Sequence, residues 1–415
     1  MAYHKLAITI CAAVAIAVFI SPGSTLTAES AAQSQYAAPS VAPATLPQSI
    51  ILFVGDGMGP AHRQAAQWQA VGEAGALRMD TLPARGALRT GSANATVTDS
   101  AAAGTALATG VKTNNGMIAQ DPQGNDLITI LELAQMKAMS VGLVSTTQLA
   151  HATPASFAAH VDSRTKMAEI AAQLADAGIN VLLGGGEDEF LPGYETGCFS
   201  EIGERLDGRN LITEMVSAGY TYVCKPEALA SVPTATTHLL VLFADEGMVR
   251  PHTPSLAQMT QTAIDLLSQD PEGFFLMVEG GQIDWAAHAN NAASVISDVL
   301  ALDEAVSVAQ AYAQQAAVAP LIIVTADHET GGMGLRLTPS GALTEDGPFT
   351  MPDAGLTPFW VTWTTTSHTA QDVPVTAEGN LADRLVGTHE NTHVFHVMRR
   401  TLFTYAMWLP VICAK

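Results

Sequence analysis

The chain has 415 residues, 48% hydrophobic and 14% charged, a composition that suits one large or two ordinary globular domains. Lys and Arg total 18 against 39 Asp and Glu, a formal net charge of -21. That balance argues against a nucleic-acid groove or an anionic membrane surface, so an anionic substrate must find its positive field locally, from bound cations or a well-placed arginine.

The N-terminus, MAYHKLAITICAAVAIAVFISPGSTLTAES, has a basic start at His4 and Lys5, an apolar run from Leu6 to Ile20 and then a Pro/Gly break. It predicts a secretory signal peptide over residues 1–28, cleaved after Ala28 or Ala32, and export to the periplasm or the medium. The alternative is a membrane anchor, but the run is somewhat short for a span and small residues follow it. Residues 29–48 are rich in Ala, Ser, Pro and Gln and read as a flexible lead-in, leaving 49–415 as one domain. Of the four cysteines, Cys11 leaves with the signal peptide. Cys198 and Cys224 lie in a loop-rich stretch where they can pair, and Cys413 is left over. No C-x-x-C is present, which argues against a thiolate zinc site.

Order begins at SIILFVGDGMG, a buried strand from Ile50 to Val54 that ends in a glycine-rich turn. The pattern recurs at 140–147, 179–186, 238–245, 273–281 and 319–329, with helical stretches at 128–139, 164–178 and 294–315 between. Apolar strands alternating with helices predict an α/β fold, a mainly parallel central sheet sandwiched by helices. Residues 334–367, rich in Thr, Pro and Gly, read as an irregular excursion. The apolar end, 402–415, is too short to span a membrane and reads as packing on the body or on a partner subunit.

Polar residues gather where strands end: Asp56, His151, Glu279, Asp327 and His328. Ligands of open α/β sheets bind beyond the carboxyl ends of strands, so this edge is a metal-site candidate. In E-G-G-Q-I-D-W-A-A-H (279–288), Asp284 and His288 are four apart and share a helix face, and Glu279 can reach a second ion. In T-A-D-H-E-T-G-G (325–332), Asp327 and His328 serve one ion only at a turn, which Gly331 and Gly332 favour. Asp99 and Ser100 introduce an Ala-rich helix. There Ser100 is either an N-cap or, if metals lie beside it, a nucleophile facing an incoming anion. A literal H-E-x-x-H occurs at His389, Glu390 and His393, with Gly387 placing the start of a terminal helix and Thr388 or Asn391 as its cap. A zinc protease needs both His inside the helix and a third ligand, and after Glu390 only His396 remains, so the motif reads as coincidence. His62, His160, His238 and His252 read as structural.

The motifs G-D-G-M-G (55–59), T-D-S-A-A-A-G-T-A (98–106), H-A-T-P-A (151–155), H-V-D-S-R (160–164), E-G-G-Q-I-D-W-A-A-H, T-A-D-H-E-T-G-G and S-H-T-A (367–370) follow in an order that resembles the alkaline phosphatases, over about residues 49–400. The resemblance implies hydrolysis of phosphate monoesters through a phosphoserine on Ser100. It implies one zinc on Asp284, His288 and His368, a second on Asp56, Asp327 and His328, and a magnesium on Asp56, Thr153 and Glu279. Arg164 matches the family's phosphate-binding arginine, whose planar fork suits two phosphate oxygens. Two positions that vary in the family hold His151 and Trp285, a pairing similar to marine and cold-adapted bacterial members; both are expected at the substrate, His151 beside the magnesium site. A homodimer is also implied. The rivals are a phosphodiesterase or sulfatase of the same superfamily, or a non-catalytic exported phosphate-binding protein. Sulfatases need a C-x-P-x-R nucleophile, absent here; diesterases generally lack the third ion, for which Thr153 and Glu279 are present; and a binder needs no nucleophile.

Overall fold

A computed structural model describes residues 48–342, 345–352 and 355–403. The expected signal peptide, all but the last residue of the lead-in, and Cys413 lie outside these residues, as does most of the apolar C-terminal segment. Fifteen strands are found among the described residues: β1 Ile50–Gly55, β2 Ala84–Arg89, β3 Ser140–Gln148, β4 Val181–Gly185, β5 Thr221–Val223, β6 Leu239–Leu242, β7 Phe274–Gly280, β8 Leu321–Ala326, β9 Glu329–Thr330, β10 Gly334–Arg336, β11 Asp346–Thr350, β12 Pro358–Thr362, β13 His368–Thr369, β14 Val373–Glu378 and β15 Gly387–Glu390. Ten of them form one sheet in the order β15-β2-β14-β8-β1-β7-β3-β4-β6-β5. From β8 to β5 every pairing is parallel, and β14 alone runs against its neighbours β8 and β2.

β1 shows why the centre is so apolar. Its neighbours cover both edges and helices cover the faces, so Ile50 to Val54 are all fully buried. Truncating Phe53 there to Ala is a loss of about 3–5 kcal/mol. The long helix Ala292–Gln315 packs on the helices Leu256–Leu267 and Pro60–Val71 and on β1. Among the described residues no helix is long and apolar enough to cross a membrane. Cys198 and Cys224 are joined by a disulfide with their Cα atoms 6.3 Å apart.

Two readings of the sequence need correcting. Residues 334–367 are not wholly irregular: among the described residues β10, β12 and β11 form a small antiparallel sheet. Phe359 and Val361 alternate inward on its central strand, and Phe359 packs edge-on against Trp68 at 5.4 Å. The strands are short and pair across gaps in sequence, so local composition hid them. The terminal helix starts at Thr392, not after Gly387, because Gly387–Glu390 is drawn into parallel pairing with β2. His389 therefore sits on a strand and His393 on the helix, with their rings stacked 4.2 Å apart. Each Nε2–H donates to a backbone carbonyl, His389 to Val386 and His393 to Arg384. Glu390 turns to Arg89 and Lys112. The zinc-protease geometry is absent.

Candidate active site and metal clusters

Adjacent strands β8, β1, β7 and β3 end side by side. Register sets Val54 beside Glu279 and Thr325, and Gly55 beside Ala326, so Asp56 and Asp327 leave the sheet together. The turn after β1 is closed by Gly57, at φ +71, whose N–H donates to Asp327 Oδ1 at 3.0 Å. A Cβ there meets Thr330 Oγ1 at 2.8 Å and Asp284 Oδ1 at 2.9 Å, so only glycine lets the chain pass between these side chains.

Three groups of donor atoms result, each mutually within 4.8 Å: Asp284, His288 and His368; Asp56, Asp327 and His328; Asp56, His151 and Glu279. Asp56, Glu279, Asp327 and His328 are fully buried. Both carboxylate oxygens of Asp56, Oδ2 of Asp327, Oε1 of Glu279, Oγ1 of Thr153 and Nδ1 of His151 are buried without a hydrogen-bond partner. Burial, and then the charges of Asp327, Asp284 and Glu279, push Asp56 well above the usual carboxylate range. Burial raises Glu279 to about 7. Acids gathered dry and unpaired are costly, and cations are what this donor set fits.

The histidines are oriented for the same purpose. His288 Nδ1 lies 2.6 Å from Thr366 O and His368 Nδ1 2.9 Å from Thr98 O. Carbonyls only accept, so both Nδ1 atoms carry protons and both Nε2 atoms face inward, 3.1 Å apart, over Asp284. Without a cation the hydrogen bond to Asp284 draws a proton onto His288 and raises it to about 9; a bound cation displaces that proton. His328 Nδ1 lies 3.2 Å from Thr330 Oγ1, whose hydroxyl donates to Asp284 Oδ1 at 2.5 Å.

Ser100 opens the helix Ser100–Thr109 and is 1% exposed. The cap is Asp99, which accepts from Ala102 N at 3.0 Å. The Ser100 hydroxyl is thus free of capping and lies 3.2 Å from His328 Nε2, at the positive end of the helix. Arg164 donates to Asp99 Oδ2 at 3.2 Å and to His151 Nε2 at 3.1 Å. His151 must then accept, and burial followed by the Arg164 charge holds it neutral, at about 3. The Trp285 ring meets His151 edge-on at 6.1 Å.

The structure brings Asp56, His151, Glu279, Asp284, His288, Asp327, His328 and His368 into these three groups, with Ser100 beside His328, and Arg164 and Trp285 beside His151. Reasoning on the sequence passed over Asp99, which caps the helix and aims Arg164, and Thr330, which ties two clusters together. It also passed over Ser145 and Thr147, whose hydroxyls bond Glu279 Oε2. Asp99 and Thr330 stood inside the quoted motifs; Ser145 and Thr147 gave no signal, being ordinary strand residues until β3 pairs with β7.

The described residues of this edge lie within a match to the alkaline phosphatase family model, over residues 47–347 and 358–404. The chain is 44% identical over 247 residues to alkaline phosphatase 4 of Bacillus subtilis, covering 57% of this chain and 50% of that one, so it spans about half of that relative's length. It is 34% identical over 420 residues to the alkaline phosphatase of Escherichia coli, covering 86% of each. Among solved structures, a cold-active alkaline phosphatase of a psychrophilic Shewanella superposes with a TM-score of 0.74 at 31% identity, covering 86% of this chain and 100% of that one. The chain belongs to the alkaline phosphatase family.

Proposed function

We propose that the protein hydrolyses phosphate monoesters by way of a phosphoserine on Ser100, outside the cytoplasm, where its disulfide persists. The observation that carries this reading is an uncapped helix-N-terminal hydroxyl beside His328 and a set of orphaned buried carboxylates. Asp284, His288 and His368 would hold one zinc, Asp56, Asp327 and His328 a second, and Asp56, Glu279 and Thr153 a magnesium, matching imidazole and carboxylate donors to zinc and oxygen donors to magnesium. Such ions lower the pKa of a bound hydroxyl or water and neutralise charge on phosphoryl oxygens.

The chain's own groups do the rest. Arg164 grips two non-bridging phosphate oxygens, aimed by Asp99 on one arm and by neutral His151 on the other. The N–H groups at the start of the Ser100 helix favour the incoming dianion. Ser100 Oγ gives its proton to solvent and attacks phosphorus; the bond from phosphorus to the alcohol's oxygen breaks in line, and the departing alkoxide takes a proton from water. Water then attacks the phosphoserine from the vacated side, returning the Ser100 hydroxyl and releasing phosphate. Trp285 contributes an apolar wall and no charge. Rates on a phosphomonoester, a phosphodiester and a sulfate ester, with and without chelator, test the proposal. Monoester turnover that vanishes with chelator is expected; equal or faster diester or sulfate turnover contradicts it.

A further inference from the structure

The helix that Ser100 opens is fed by T-V-T-D (96–99), and the stretch V-K-T-N-N-G (111–116) folds back against that feeding segment. Met117 N–H donates to Asn114 O at 3.1 Å, closing a turn whose third residue, Gly116, stands at φ +88, where a residue with a Cβ is strained. Asn115, exposed at the corner of this turn, divides its amide between two backbone groups of the feeding segment. Its Oδ1 accepts from Asp99 N–H at 3.3 Å and its Nδ2 donates to Val97 O at 3.1 Å, so the two bonds straddle Thr98. The turn is itself sewn to the loop after β2, for Ala93 N–H donates to Thr113 O at 2.8 Å and Asn115 N–H to Asn94 Oδ1 at 3.0 Å.

Gly116 continues the bracket. Its N–H donates to Asp99 Oδ1 and Oδ2, both at 3.1 Å, and its carbonyl accepts from Arg164 N–H at 2.7 Å. Asp99 also accepts from Ala102 N–H at 3.0 Å and from the Arg164 guanidinium at 3.2 Å. Asn115 and Gly116 therefore hold the backbone of Asp99, its carboxylate and the backbone of Arg164, the parts that decide where the guanidinium points. Gly116 acts through its backbone; Asn115 is the side chain of the bracket.

We infer that Asn115 is a positioning residue for phosphate binding: its amide holds the backbone on either side of Thr98, so that Asp99 keeps Arg164 aimed. The inference rests on the proposed reading of Arg164 as the arginine that grips phosphate. An amide carries an acceptor and a donor in one rigid plane, so it sets the spacing between Asp99 N–H and Val97 O. Because Asn115 is exposed, water satisfies both backbone groups once the amide is removed, at little cost in stability. What is lost is the fixed direction of Asp99. The feeding segment keeps a second tie, from His368 Nδ1–H to Thr98 O at 2.9 Å, so the cluster of Asp284, His288 and His368 stays in place.

The test is a double-mutant cycle of Asn115→Ala and Arg164→Ala on protein loaded with zinc and magnesium. It reads the Kd of inorganic phosphate by calorimetry, and KM and kcat on a phosphomonoester. Asn115→Ala alone is expected to weaken phosphate about five- to tenfold, the contribution of one ordinary hydrogen bond. KM should rise in step, with kcat within about twofold of the parent and with zinc content and Tm unchanged. In the Arg164→Ala background the same change should cost less than about twofold, because the group it aims is gone. Equal losses in the two backgrounds overturn the inference. So do an unchanged phosphate Kd, a lost zinc equivalent or a lowered Tm in Asn115→Ala, the last two marking a merely structural role. Phosphate binding is read without turnover, so the inference can fail while the proposed hydrolysis stands. A parent chain that binds phosphate but turns over no ester fails the reaction alone, and one that binds no phosphate overturns both.

Discussion

Thr330→Val removes one hydroxyl and keeps the shape of a fully buried side chain. That hydroxyl donates to Asp284 Oδ1 at 2.5 Å and accepts from His328 Nδ1 at 3.2 Å, so it joins a residue of the first cluster to a residue of the second. It also fixes the His328 tautomer, keeping Nε2 bare and turned to Ser100. In the variant the His328 N–H loses its acceptor in a dry site, which costs about 1–3 kcal/mol. Asp284 meanwhile loses a hydrogen bond that orients it. Outer partners of this kind typically contribute about 10–100-fold to metal affinity, or about 1.4–2.7 kcal/mol. The assay is competition with a chromogenic zinc chelator at fixed pH, following both zinc equivalents. Because Thr330 touches both clusters, both equivalents weaken together. Two zinc affinities unchanged in Thr330→Val refute the reasoning; weakening of one alone refutes the coupling.

The metal-free protein should depend on pH in a defined direction. Glu279 is raised from 4.5 to about 7 in the fold, so stability from its protonated form is complete below 4.5 and is lost as pH rises through about 7. Its Tm should therefore fall between pH 5 and pH 8 and recover on adding zinc and magnesium; a metal-free Tm that rises over that range contradicts the account. Reducing the Cys198–Cys224 bridge, which spans a sequence separation of 26, removes about 3.5 kcal/mol on a chain-entropy basis and should lower the urea midpoint. An unchanged midpoint shows that the bridged segment is held by other contacts. Replacing His389 and His393 together by Ala should leave zinc content and turnover as they were, since each loses one exposed hydrogen bond to a carbonyl. Loss of a zinc equivalent restores the H-E-x-x-H reading.

The parallel heart of the fold was legible because strands buried on both faces are continuous apolar runs, as in IILFV and LIIVTA. β2 and β15 were not, since residues such as Arg85, Arg89, Thr388 and Glu390 are exposed at the sheet's edge and resemble loop composition. β14 was missed although Val373, Val375 and Ala377 are buried, because its run is interrupted by Pro374 and Thr376. The site was legible as a set of chemical types at strand ends, and register assembles its centre: Asp56 and Asp327 leave neighbouring strands far apart in the chain and meet because Gly55 pairs with Ala326. Hydrogen bonds between side chains were illegible. Nothing local says that Ser145 serves Glu279 or that Thr98 lends its carbonyl to His368. The H-E-x-x-H match misled for the converse reason, since spacing of four carries meaning only inside a helix, and tertiary pairing with β2 put half of it on a strand.

The measurement closest to the central claim is the fate of Ser100. Parent chain and Ser100→Ala, both loaded with zinc and magnesium, are mixed with a phosphomonoester, quenched in acid and analysed as peptides by mass spectrometry, beside steady-state kinetics. The account predicts phosphate on the Ser100 peptide of the parent and a loss of kcat of at least about a thousandfold in the variant, as for other covalent nucleophiles. Near-parental turnover by Ser100→Ala, or a parent that turns over with its label on another residue, contradicts it.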